Sequence, residues 1–217
     1  SSAASDVYKR QVHKITELEG IEHEKVQVGE GIAYTHTSKT VKKPLEEYLR
    51  FIDSLHCQIE EVLAWRVDPG GDLFNCLKAK IYEEEAYPAF IPAMVGTITK
   101  ASIGYFLSEK GIFHVNTLIT PTGLELVSGS GTVGLEEGRV TPHIHIVVAD
   151  HTGNAYGGHL FPGTIVKEYV EGFLLKVKGV RFERIWNKRI KAYPLHFIKI
   201  DERPNDSYRE YIIEDGS

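Results

Sequence analysis

The sequence predicts an α+β fold, a largely antiparallel β-sheet with flanking helices. Two observations predict it. The first half carries two stretches of helical period, and everything from Pro88 onward reads as short apolar strands separated by turn residues. The 217 residues suffice for one sizeable domain with an extension. Apolar residues make up 42% and charged residues 25%, as in ordinary globular proteins.

Ser1 to Gln11, SSAASDVYKRQ, is small, polar and without period. It reads as a disordered end and resembles the translated read-through of a sequencing adapter, so it is excluded from fold reasoning. Residues 12–57 form an N-terminal extension. There, Val26, Val28, Ile32, Ala33 and Tyr34 suggest short strands broken by Gly29 and Gly31. A helix is expected from Pro44, with Leu45, Tyr48, Leu49, Ile52 and Leu55 on one face.

Residues 58–200 form the main domain. Ile59, Val62, Leu63, Trp65 and Val67 read as a strand, and Asp68-Pro69-Gly70-Gly71 as a turn. Asp72 can cap a second helix bearing Leu73, Phe74, Leu77 and Ile81 on one face. Expected strands follow at Phe90–Val95, Ser102–Leu107, Phe113–Leu118, Gly123–Val127, Gly131–Leu135, Val140–Asp150, Ala155–Leu160, Thr164–Leu175, Arg181–Trp186 and Leu195–Ile200. Residues 201–217 are a polar, acidic tail.

Charge and cysteine count narrow the function. A net charge of −5 lacks the positive field typical of nucleic-acid binders. Two cysteines, Cys57 and Cys76, make neither a disulfide framework nor a multi-cysteine zinc site. With no long apolar run, the chain reads as soluble and cytoplasmic.

The informative stretch runs from Pro142 to Leu160. His143 and His145 alternate with Ile144, Ile146 and Val148, so in a strand both imidazoles share one face and the aliphatic residues take the other. His151-Thr152-Gly153 suits a three-residue hairpin loop, with glycine at the left-handed third position. That loop pairs Asp150 with Asn154 and, by the same register, His145 with His159. Directly opposed residues have Cβ atoms ~5 Å apart, so the three histidines gather on one face. The opposite face collects Ile144, Ile146, Val148, Tyr156 and Leu160. Three histidines suit a divalent transition metal, most simply zinc, and leave a coordination position open. Gly157 and Gly158 are expected to clear space beside it. His151, in the loop, is not expected to be a ligand.

The string PHIHIVVADHTGNAYGGHLFPGTIV, Pro142 to Val166, resembles the PPC (plant and prokaryote conserved) domain family, in its prokaryote-type form with a His-x-His strand followed by Gly-Gly-His. RVDPGGDLFNCL, VGTITKASIGYF, LELVSGSGTV and VRFERIW lend support, over roughly Glu60 to Phe197. The resemblance implies an antiparallel α+β fold, a homotrimer, and metal binding by His143, His145 and His159. Plant-type members hold DNA through Arg-Gly-Arg-Pro segments, which this chain lacks. The fold group also resembles α-acetolactate decarboxylase, which uses a similar histidine arrangement for a catalytic metal.

Three functions are open on these grounds. The first is a metal-dependent enzyme, a hydrolase or lyase, acting on a small oxygenated substrate. Its acid/base group would be Glu171, at the Glu that often follows Gly-Gly-His in the family, or alternatively Glu168; Arg184 could bind an anionic substrate. The second is a DNA-binding or regulatory protein with a structural metal, for which the basic run from Lys176 to Lys191 is the only support. The third is a small-ligand sensor.

Overall fold

The computed structural model describes residues 17–28, 31–107 and 110–200. Ser1–Gln11, Gly29 and the tail from Asp201 lie outside the described residues. The chain divides into two compact units, one up to Asp53 and one from Ser54.

In the first unit, β1 (Glu17–Val28) and β2 (Gly31–Pro44) form an antiparallel hairpin whose register runs from Glu17 opposite Pro44 to Val28 opposite Gly31. The helix expected from Pro44 is only five residues long, α1 (Leu45–Leu49). Pro44 supplies no side-chain cap and the helix buries no residue, so nothing offsets the cost of nucleation. Phe51 and Ile52, beyond its end, are exposed.

The second unit holds β3 (Gln58–Val67), α2 (Leu73–Glu83), β4 (Ala89–Leu107), β5 (Ile112–Glu136), β6 (Arg139–Ala149), β7 (Ala155–Leu160), β8 (Ile165–Lys178), β9 (Val180–Arg184) and β10 (Leu195–Lys199). The α+β class is as expected, with the sheet largely antiparallel in the order β10-β9-β5-β6-β7-β4-β8-β3. Asp72 caps α2 by accepting from the Asn75 N–H at 3.0 Å, and Leu73, Leu77 and Ile81 are its buried stripe. No helix among the described residues is long and apolar enough to cross a membrane.

Five of the expected strands are segments of two long ones. Pro92, Gly96 and Gly123 bend the chain without ending it, since β4 and β5 change register between Ile91 and Met94, Met94 and Gly96, and Ile98 and Lys100. The bending has a topological result. The first half of β4 lies between β8 and β5, while Ile103 and Gly104 in its second half pair with Leu160 and His159 of β7. The circuit β4–β5–β6–β7–β4 therefore closes on itself as a barrel around Ile103, Leu126, Ile144, Ile146, Val148 and Leu160.

Candidate metal centre

β6 alternates without a break: Val140, Pro142, Ile144, Ile146 and Val148 are buried, and the residues between them are not. His143 and His145 thus lie on the outer face of the barrel. The turn that follows is held by Asp150, whose Oδ1 accepts from the Thr152 N–H (2.9 Å), the Thr152 hydroxyl (2.6 Å) and the Asn154 N–H (3.1 Å). These bonds hold the Asp150 carboxyl down at about 2, the Thr152 hydroxyl bond contributing most. Gly153 takes φ +87, the left-handed conformation expected of it, and Asp150 and Asn154 are joined by a backbone bond of 3.0 Å. The register places His145 opposite His159.

The three imidazoles converge. Nε2 of His145 and Nε2 of His143 are 3.2 Å apart, and one ring nitrogen from each of the three histidines lies within 4.8 Å of the others. Two donors at ~2.0–2.1 Å from a tetrahedral ion stand about 3.3 Å apart, so the His143–His145 pair already has ligand spacing. Nδ1 of His159 is buried with no hydrogen-bond partner. Burial, then the charge of Arg184, then the neighbouring imidazoles push His143 down to about 3. His159 is pushed down to about 4 by burial, then by His145 and Arg184, and His145 is lowered by burial. All three are therefore neutral at pH 7, the form that binds metal. The cluster can coordinate a divalent metal, and no carboxylate or thiolate among the described residues joins it.

Aromatic rings hold His159 from behind. Phe113 and Phe161 stand 5.0 and 4.9 Å from it between centroids and 5.2 Å from each other. A Cβ on Gly104 would fall on the Phe161 ring, so the bare backbone there admits that packing. Phe161, two residues beyond His159, was legible from strand alternation; Phe113 was not, because it arrives from β5 across the barrel seam.

The two glycines before His159 have different tasks, which corrects one expectation. Gly157 lies opposite Val147 on the histidine face, but Gly158 lies opposite Ile146 on the core face. A Cβ on Gly158 would stand 2.5 Å from Ile103 Cγ2 and 2.7 Å from the Gly104 carbonyl oxygen. It makes room for β4, not for a ligand. Tyr156, expected in the core, is 38% exposed at the barrel rim.

The acidic candidates lie elsewhere. Glu168 is exposed and pairs with Lys167 at 2.7 Å. Glu171 is exposed on β8, opposite Arg66 and Val95. Its neighbour Gly172 pairs with Met94, Met94 with Gly129 and Gly129 with Ile146, so Glu171 stands three strands from His145, roughly 14 Å across the sheet at ~4.8 Å per strand. Arg184, by contrast, reaches the histidine face. Its Nη2 donates to the Thr132 hydroxyl at 2.7 Å, and Thr132 lies directly opposite His143. The sequence carried no sign of Thr132's part, because β9 meets the end of β5 through a parallel pairing distant in the chain.

Residues 55–178, more than half of the chain, match the Plants and Prokaryotes Conserved (PCC) domain. The chain belongs to the PCC-domain family. This PCC domain is similar to the metal-containing protein of Archaeoglobus fulgidus, at 26% identity and TM-score 0.59, over 66% of this chain and 98% of that one. It is similar to a plant- and prokaryote-conserved protein of Pyrococcus horikoshii, at 27% identity and TM-score 0.58, over 70% and 100%. A hypothetical protein of Salmonella enterica matches at 25% identity and TM-score 0.56, over 64% and 94%. Bifunctional GlmU proteins of two Synechococcus strains are 28% identical over 144 and 122 residues, 63% and 55% of this chain. The chain spans about a fifth of the length of these curated relatives, 20% and 17%.

Proposed function

We propose that this PCC domain is a zinc-type metalloenzyme, a hydrolase or lyase, acting on a small oxygenated substrate in the cytoplasm as a homotrimer. One observation carries the metal assignment: three imidazoles, neutral at pH 7, converge on one point with no fourth protein ligand among the described residues. Structural zinc sites are closed by four protein ligands, whereas catalytic sites keep a position open. A bound divalent ion supplies Lewis-acid polarisation of a carbonyl or of water. The metal-containing relative from Archaeoglobus fulgidus supports the same assignment.

The chain's own residues divide the remaining work. His143 and His145 hold position through the β6 alternation, and the Phe113–Phe161 pair restrains His159. Glu171, three strands away on its own chain, would serve as the acid/base group from another copy in the trimer. Purified protein should carry close to one divalent ion per chain, with zinc predominant, and His145→Ala should lose most of it. Equal metal in wild type and His145→Ala by elemental analysis would refute the centre. Light scattering should give three chains per particle at micromolar concentration; a monomer would remove Glu171 from the mechanism.

A DNA-binding role gains little from the fold. Within the basic run, Arg184 is turned inward onto Thr132 and Arg181 pairs with Glu183 at 2.8 Å. Binding to DNA should be weak and sequence-tolerant at physiological salt.

A further inference from the structure

Arg184 is the one charged side chain among the described residues that is buried, with 8% of its surface exposed. Its neutralisation is incomplete. The guanidinium donates from Nη1 to the Tyr193 carbonyl (3.3 Å) and from Nη2 to the Thr132 hydroxyl (2.7 Å), both uncharged acceptors. Its Nε–H is sealed from solvent and has no partner. Guanidinium has five N–H donors, so three remain unused, and among the described residues no carboxylate lies within ion-pair distance. Glu136, beside Arg184 in the parallel register, is the carboxylate whose charge acts on it, at longer range than an ion pair; burial raises the Glu136 carboxyl and the charge of Arg184 lowers it. Buried charges in proteins are normally paired, because desolvation otherwise disfavours the ion.

The location of this unpaired cation matters. Thr132 faces His143 across the β5–β6 ladder, so the guanidinium sits one side chain away from the histidines, and its charge reaches both His143 and His159. A divalent ion would add to the same positive field. The histidines, being neutral, cancel none of it.

We propose that the ligand of this centre is a small carboxylate, and that Arg184 is the residue that recognises its charge. The proposal rests on the reading of the histidines as a metal centre. A planar carboxylate matches the guanidinium fork better than a neutral carbonyl or alcohol does. The carboxylate would meet the Nη hydrogens that Tyr193 and Thr132 leave unused. Thr132 is then a positioning residue, fixing the guanidinium plane through Nη2.

The test is calorimetric titration of acetate, with acetamide as the neutral isostere, into zinc-loaded and chelator-stripped protein. Wild type, Arg184→Gln, Arg184→Lys and Thr132→Val are compared, each first checked for folding by circular dichroism and for zinc content. Zinc-loaded wild type should bind acetate and not acetamide. Arg184→Gln should bind at least about tenfold more weakly with zinc content unchanged, as loss of a charge-assisted bond requires. Arg184→Lys should fall between, since it keeps the charge and loses the fork. Thr132→Val, which leaves every charge in place, should weaken acetate less than Arg184→Gln does, and keeps the test open if the latter fails to fold. Acetate affinity equal in wild type, Arg184→Gln and Thr132→Val would overturn the proposal, as would equal binding of acetamide. If the protein holds no zinc, the metal reading fails by itself. The stripped protein then decides: acetate binding lost in Arg184→Gln supports the carboxylate assignment, and no binding overturns it.

Discussion

Replacing Gly158 by Ala probes whether barrel closure and the candidate metal centre are one construction. The added Cβ would stand 2.5 Å from Ile103 Cγ2 and 2.7 Å from the Gly104 carbonyl oxygen. Neither atom belongs to a flexible side-chain end, and the second is backbone, so β4 and β7 must separate. Their seam consists of two residue pairs, Ile103 with Leu160 and Gly104 with His159. Overpacking of this kind costs about 1–3 kcal/mol. Reduced freedom of the unfolded chain returns about 0.4–1 kcal/mol in any Gly→Ala change where the backbone is compatible, as at both glycines here, neither of which has positive φ. Gly157→Ala is the internal control, because its Cβ would meet Val147 Cγ2 at 3.2 Å and the Ile146 carbonyl at 3.3 Å, contacts that need only small shifts. Urea unfolding of metal-free protein should therefore show Gly158→Ala destabilised by roughly 1–2 kcal/mol net and Gly157→Ala near neutral. Zinc retention should fall in Gly158→Ala, since His159 is next in the chain and directly across from Gly104. Equal stability and equal zinc retention in the two variants would refute the view that Gly158 exists to admit β4.

Further outcomes follow from the same structure. His143 and His159 titrate near 3 and 4 when folded against 6.5 ordinarily, so the unfolded chain binds their protons first as pH falls. Metal-free protein should keep its full stability above about pH 6.5 and lose it progressively toward pH 4, by at most ~1.4 kcal/mol per pH unit per histidine. His143→Gln should reduce that slope, as measured by unfolding at a series of pH values. Ile146→Ala removes a side chain that is 1% exposed behind the histidines and should cost about 2–5 kcal/mol in urea unfolding. Asp150→Ala removes the acceptor of the turn and should speed amide exchange at Thr152 and Asn154, by hydrogen-exchange NMR.

The histidine hairpin could be read residue by residue because each of its determinants is local. Strand alternation sets the faces, and a glycine that can adopt φ +87 fixes the loop length and hence the pairing of His145 with His159. The class of fold was also visible in the spacing of turns and in the Asp72 cap. Strand ends were not, because Gly96 and Gly123 punctuate a sequence in the same way whether they end a strand or bend it. Alternation alone puts Gly158 on the face of Tyr156 and Leu160, but the neighbour that requires a glycine there, β4 crossing from 54 residues earlier at Gly104, has no local sign in the sequence. Arg184 was picked out for its charge, but its approach to Thr132 arises from a parallel pairing of β9 with β5 that no local pattern encodes. The short α1 shows the opposite failure, a periodic apolar pattern with nothing buried beneath it.

The three clustered histidines lie on two adjacent strands within seventeen residues, His143 to His159, closed by a three-residue loop. A chain that has lost its barrel but retains this loop still holds the three donors within a short tether, at high effective concentration. On the proposed metal reading, an ion would bind the denatured ensemble as well as the native one. Because a ligand stabilises only through its preference for the native state, zinc should raise the unfolding temperature by less than its affinity implies. The same proximity would let such an ion engage a nascent chain once β7 has been synthesised, before β8, β9 and β10 exist to complete the sheet.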